Sequence, residues 1–500
     1  MKMKTIKINK SILLLLSVAI LTVSCNDFLD VNENPNSPSI STPSLTLPVA
    51  QQEMAQLNGT DMTYLGNMLV VNWATPSNWS ANSLFARYSF TATSYDDIFE
   101  RSYVYMFKNL TYVENYTDPT GAADYSTYKA ISQIMKGYQY QLLVDLYGDI
   151  PFTEANLRGE NTTPKYDDAA TVYKSVIDSL TSAANLALNL PDNAEDPGTQ
   201  DIILGGHMDE WAQFANTIKL RMLVRLSNTN DDAYIAGQIA SIDANGAGYI
   251  TADISANPGY TASAEKQSPF YDYFITESGT QQDRNDFTVA SKHTIEYLTS
   301  INDDRISRLY LPAAASGNFK GAEQSTVLPG TGFTNLDLSH VGPGLLKSAE
   351  QDQVIMSLAE ALFIQAEATE RGYITGGDSA QELYEAAIAA SYEFLEVPDA
   401  STAAAAYYAQ PIANVSWASS PNKIEAIMTQ KWIALNGTSS IESWIDLTRT
   451  GFPSGLPIPA ESDGVRPVRL LYPASEVSRN SDNVPSQTAN DIFTQNPFWK

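Results

Sequence analysis

The sequence predicts a mostly α-helical protein, and three observations carry that expectation. Apolar residues recur at helical spacing in several long windows. Glycines and capping residues fall where those windows end and begin. The windows also come in pairs joined by short connections.

The stripes can be read in chain order. Ile131, Ile134, Met135, Tyr138, Leu142 and Leu146 fall on one helical face. Trp211, Phe214, Ala215, Ile218, Met222 and Leu226 repeat the spacing, as do Ile355, Leu358, Ala359, Leu362 and Ala366. The helix near 209–227 also carries Leu220, Leu223 and Val224 off its stripe, which predicts cover on two sides and a central place. Gly148, Gly372 and Gly437 follow helical windows, where a left-handed residue can close a helix. Ser420-Pro421 reads as an N-cap and first helical position, and Ser94 with Asp97 as a capping box. The resulting helices are 94–116, 122–147, 166–189, 209–228, 231–242, 352–371, 378–396, 421–436 and 440–449, with a further helix ending near Val71. Paired amphipathic helices that need neighbours to cover them predict a helical-repeat arrangement, although no strict period is visible.

Residues 245–290 and 311–345 break this pattern. They are rich in Gly, Pro, Ser, Thr and aromatics, and read as long loops with short hairpins. The tail after 450 is Pro-rich and irregular.

The amino terminus reads as an export signal. Lys2, Lys4, Lys7 and Lys10 precede a mostly apolar run from Ile12 to Val23, too short to span a bilayer stably. Ser24 and Cys25 follow, and Cys25 is the only cysteine among 500 residues. A thiol at that point resembles a bacterial lipobox, with Leu21 one place earlier than usual. The alternative is an ordinary signal peptide with an incidental cysteine. This divides the chain into a signal peptide (1–24), a lipidated tether (25–43) and a helical domain (44–500).

Composition narrows the function classes. The formal net charge is −27. Removing 1–24 takes four lysines and no acids, and makes the chain still more acidic. Such a surface repels phosphate backbones and anionic lipid, so no nucleic-acid partner is expected and the membrane link must be the anchor. A lone cysteine leaves no disulfide to form within the chain.

Catalytic signatures are missing. His207, His293 and His340 are isolated and make no metal-binding spacing. There is no nucleophile elbow, Walker loop or dinucleotide fingerprint. Acid pairs such as Asp96-Asp97 and Asp303-Asp304 fit helix starts and solvated faces, although a glycosidase pair is not formally excluded. No enzyme activity, cofactor or metal is therefore expected.

Aromatic residues in loops carry the functional signal. Trp73, Asn78 and Trp79 flank Pro76. Tyr271 and Tyr273 lie in the run 269–274, followed by Asp283 and Arg284. Flat rings cover the apolar faces of a sugar, and amide, carboxylate and guanidinium groups take its hydroxyls. The same set suits a peptide, and each ring has the alternative of pinning its loop to the core.

A set of short motifs lies in order along the chain. They are 27–36 (DFLDVNENPN), 145–152 (DLYGDIPF), and Trp211 with Phe214-Ala215-Asn216 and Lys219-Leu220-Arg221. Glu360 and Glu367 within alanine pairs come next, then 430–435 (QKWIAL), Glu442-Ser443-Trp444, 449–453 (RTGFP) and 469–473 (RLLYP) with Glu476. Together they resemble the SusD/RagB family of Bacteroidetes outer-membrane lipoproteins, in its second SusD-like branch, over about 450 residues. The resemblance implies a mostly α fold, with tetratricopeptide-like helix pairs in a right-handed superhelical scaffold, a loop-rich ligand face and few short strands. It also implies a surface lipoprotein held to the outer membrane by Cys25, acting as a lid on a SusC-like TonB-dependent transporter. The expected ligand is an oligosaccharide, or a peptide in some members. The ligand residues expected here are Trp73, Asn78, Trp79, Tyr271, Tyr273, Asp283 and Arg284. A helical scaffold without its own small ligand remains the alternative.

Overall fold

The computed structural model describes residues 41–79, 83–325 and 331–500. The signal peptide, Cys25 and the tether up to residue 40 lie outside the described residues. The tether was expected to reach 43, but Pro43 is already helical and opens the first helix as its N1 proline. Among the described residues, no helix is long and apolar enough to cross a membrane.

The chain is mostly α-helical. Its first helix, Pro43–Leu57, runs through a π-helical turn at Asn58–Met62 into Thr63–Leu69. A second π turn, Ser102–Phe107, interrupts the helical stretch from Asp97 to Glu114. The centre is built from antiparallel pairs. Ser126–Tyr147 packs on Ala169–Leu188, which packs on Met208–Arg225. Leu358–Glu370 packs on Ala380–Phe394 and Lys423–Ala434, and the last of these packs on Ser440–Thr450. The two halves meet where Met208–Arg225 touches Leu358–Glu370.

Local chemistry sets several boundaries. Asp168 caps Ala169–Leu188 by accepting the Thr171 N–H at 2.9 Å. Ser379 and Glu382 form a reciprocal capping box. Gly148, Gly372 and Gly437 all take positive φ, at 82°, 74° and 80°. Two cap assignments are corrected. Ser94 accepts the Thr91 N–H at 3.0 Å instead of capping a helix. Asn422, not Ser420, caps Lys423–Ala434 by accepting the Glu425 N–H at 3.2 Å. The window 352–371 also begins differently. Gln353–Met356 is a strand, and Ser357 then caps the helix from Leu358.

Only short strands are present among the described residues. β1 (Trp73–Ala74) pairs antiparallel with β3 (Val289–Ala290), with Trp73 opposite Ala290. β2 (Ile254–Ala256) pairs antiparallel with β4 (Gln353–Met356). The segment 245–290 thus holds strands and two short helices, Pro269–Phe274 and Asp283–Asp286, where only loops and hairpins were expected.

The core contains a buried ionic lattice as well as apolar side chains. Arg221 meets Glu360 at 2.9 Å and Glu442 at 3.4 Å. Arg225 pairs with Glu442 and approaches Asp145 at 3.7 Å. Lys431 meets Asp446 at 2.7 Å. Arg449 grips Glu367 with two bonds of 2.6 and 2.8 Å. Burial opposes ionisation of Glu442, but Arg221, Arg225 and Lys431 hold its carboxyl below the usual range. Desolvating so many charges is costly, and pairing offsets that cost only if every partner is in place. All of these residues except Arg225 and Asp446 belong to the motifs singled out in the sequence, so those motifs build the scaffold.

Candidate ligand-binding site

The two-strand ladder β1–β3 organises the candidate site. Beyond β1 the chain reaches Asn78 and Trp79. Just before β3 come Arg284 and Phe287, on and after the Asp283–Asp286 helix. The turn at Pro269–Phe274 brings in Tyr273, and the helix leaving the first π turn brings in Tyr64.

Arg284 is the hub. Its guanidinium carbon lies 3.9 Å from the Tyr273 ring centroid, 5.0 Å from Tyr64 and 5.4 Å from Phe287. Trp79 meets Phe287 with centroids 5.8 Å apart. A planar cation stacked among rings keeps its fork of donors in a fixed direction. Tyr273, Arg284 and Trp79 are half-buried, so the cluster is partly open to solvent.

Asp61 adds an acid. It sits on the Asn58–Met62 π turn. Burial and then Asp97 push its carboxyl above the usual carboxylate range, while Arg284 and Arg101 pull it back. Burial likewise raises the Tyr95 phenol well above its ordinary value, with Tyr273, Tyr64 and Asp61 contributing. The combination of rings, a fixed guanidinium and a shielded carboxyl suits a neutral polyhydroxylated ligand.

The other expected residues fall in different places. Trp73 is fully buried, 5.7 Å from Tyr64 and 5.8 Å from Phe274. It is a core residue and offers no face to a ligand, because its loop begins with a strand whose two residues both point into protein. Asn78 is exposed, and its amide exchanges bonds of 3.1 and 3.0 Å with Asn335. Tyr271 stands two residues before Tyr273 on the same short helix, about 200° around it, and is half-buried. Asp283 is exposed at the start of its helix.

His340 braces the site. Its two ring nitrogens meet the backbone oxygens of Asn285 and Asn335 at 2.9 and 2.8 Å. That ties the Arg284 helix to the loop that holds Asn78. Asp61, Tyr64, Tyr95 and Phe287 were missed as site residues. Tyr64 lies inside a helix and Asp61 on an irregular turn, so neither carried a loop-aromatic signal.

An acidic groove of about 1010 Å³ lies elsewhere, between 199–205, 252–257, 345–354 and 393–396. Several of its carboxylates already serve the scaffold. Asp352 accepts the Asn257 amide at 2.7 Å, and Glu396 pairs with Lys347 at 2.9 Å. No set of three or more His, Cys, Asp or Glu side chains among the described residues is arranged to hold a metal ion.

Comparison with known proteins agrees with this architecture. Residues 35–473 match the SusD-like_2 family model, described as "Starch-binding associating with outer membrane". A solved chitin-binding protein is 24% identical, with 88% of this chain and 95% of that chain covered and a TM-score of 0.71. A chitin-binding SusD homolog from Flavobacterium johnsoniae is 21% identical over 88% of this chain and 94% of that one, with a TM-score of 0.70. A SusD/RagB family protein from Bacteroides thetaiotaomicron is 17% identical over 92% of this chain and 99% of its own, with a TM-score of 0.75. No curated protein matches the chain.

Proposed function

The chain belongs to the SusD-like family of outer-membrane proteins, and from that premise we propose that it captures glycans at the cell surface without transforming them. One observation carries the reading. Arg284 is held among Tyr273, Tyr64 and Phe287, with Trp79 beside them, on a partly open face. Sugar rings stack on such faces through their C–H groups, and the guanidinium and Asp61 take hydroxyls. Two solved relatives of the same fold are described as chitin-binding, which supports a glycan over a peptide.

The finer mechanism completes the proposal. Export through the 1–24 signal and lipidation at Cys25 would fix the protein to the outer membrane. The captured oligosaccharide would pass to a SusC-like TonB-dependent transporter beneath it. Micromolar affinity, about −8 kcal/mol, suffices for such a role and is within reach of a few stacked rings and hydrogen bonds.

Calorimetry of residues 26–500 against oligosaccharides and peptides, with Trp79→Ala as control, tests the reading. Heat with one glycan class, largely lost in the variant while its melting curve is unchanged, supports capture. Heat with peptides alone moves the ligand class. No heat with any ligand favours a scaffold.

A further inference from the structure

The β1–β3 ladder has a second end. There the Ser291 N–H donates to the Asn72 carbonyl at 3.0 Å, and the chain continues into the Lys292–Ser300 helix. A cavity of about 360 Å³ opens at this end, lined among others by Val71, His293, Glu296, Gln324, Pro457 and Pro459. The Arg284–Trp79 cluster lies beyond the opposite end of the ladder, so the two sites share no residue.

Gln324 is the unusual member. It is 8% exposed, and neither its amide nitrogen nor its amide oxygen has a hydrogen-bond partner among the described residues. Burying both halves of an amide unpaired is costly, and such a group in a native fold calls for an explanation. The backbone around it is fixed. The Ala322 N–H donates to the Ala290 carbonyl at 3.0 Å, and the Lys292 N–H to the Ala322 carbonyl at 2.8 Å. Glu323 pairs with Lys292 at 3.0 Å, and the Ser325 hydroxyl donates to Glu461 at 2.7 Å. The amide is therefore presented in a set position.

We propose that this cavity is a second glycan subsite, in which the Gln324 amide grips two adjacent hydroxyls of one neutral sugar ring. A carboxamide shows one donor and one acceptor side by side, and a vicinal diol returns the complementary pair. Pro457, Pro459 and Val71 supply an apolar wall for the C–H face. His293 adds a ring that burial keeps neutral, stacked 6.2 Å from Tyr297. The volume lies at the lower end of the range for ligand pockets and suits a single ring. Across the Lys292–Glu323 pair a second cavity of about 330 Å³, lined by Phe319 and Phe333, gives a neighbouring ring room. The sugar class rests on the glycan reading above, whereas the site itself does not.

Saturation-transfer NMR on Trp79→Ala protein tests the subsite, with glucose, galactose, mannose and N-acetylglucosamine as probes. At least one hexose is expected to receive saturation. Adding Gln324→Leu should weaken that binding by about tenfold or more, because the site's paired hydrogen bonds go. The leucine variant should melt no lower than its parent, since it removes an unpaired buried amide. Gln324→Glu keeps the acceptor, loses the donor, and should weaken binding less than leucine. No hexose signal from Trp79→Ala protein that still melts normally overturns the proposal, as does a signal indifferent to Gln324→Leu. If wild type binds glycans and Trp79→Ala binds none, the primary reading stands and the second subsite falls.

Discussion

The indole N–H of Trp499 donates to the carboxylate of Asp145 at 2.7 Å, across 354 positions of sequence. Both residues are buried, and the Arg225 guanidinium lies 5.7 Å over the same indole. Trp499 thus completes the ionic lattice at the centre. Trp499→Phe keeps the ring and removes the donor. It should cost about 1–3 kcal/mol, read as a lower urea midpoint, because a buried carboxylate loses a partner. An unchanged midpoint would show that the bond contributes nothing net.

Asp145 also gives the lattice a pH signature. Burial, opposed by Arg225, pushes its carboxyl up to about 6, against an ordinary value of 3.8. Between those values the folded state binds more protons than the unfolded chain. Its contribution is present at low pH and lost as pH rises through about 6. Asp145→Asn removes this titration. The urea midpoint of wild type should therefore gain on that of the variant as pH falls from 7 to about 4, by up to a few kcal/mol. A constant difference across that window would refute the assignment.

Lys219 behaves in the opposite sense. Its ammonium is buried, donating to Thr181 at 2.6 Å and to Ser241. Burial, partly offset by Asp178, lowers its pKa to about 8. The unfolded chain then binds more protons between about 8 and 10.5, so the stability contribution grows as pH rises through that range. Lys219→Met should lose ground to wild type from pH 8 to 10, and near pH 7 should cost about 1 kcal/mol or less. Parallel urea curves at pH 7 and 10 would decide it.

The two tryptophans at the ladder should separate cleanly. Trp73→Ala hollows the core and should cost about 3–5 kcal/mol in thermal or urea unfolding. Trp79→Ala removes a half-buried ring and should cost about 1 kcal/mol or less while cutting glycan heat in calorimetry to the small remainder of a weaker second subsite. Equal destabilisation by both would place Trp79 in the core and remove it from the site.

The long helices were readable because 3.6-residue stripes such as Ile131 to Leu146 admit one buried face. The Ala400–Tyr408 helix escaped because a run of alanines has no stripe. Gln353–Met356 was absorbed into a helix because a short apolar run fits both periods, and only its partner Ile254–Ala256 decides between them. The site was legible in its rings but not in its membership. Trp73 and Trp79 look alike in sequence, six residues apart in a polar stretch. What buries one is Phe274, two hundred residues on. Asp61 and Tyr64 join the site only because a π turn aims them, and nothing in local sequence announces that turn.

The place of Trp499 also bears on how the molecule comes into being. A ribosome makes Trp499 long after it makes the partners that Trp499 meets. Until then Asp145 and Arg225, made hundreds of residues earlier, wait without their last neighbour. The scaffold can assemble pair by pair as the chain emerges, but its centre is sealed only once Trp499 has joined it. Cleavage just before Trp499 would return a finished molecule to that unsealed condition.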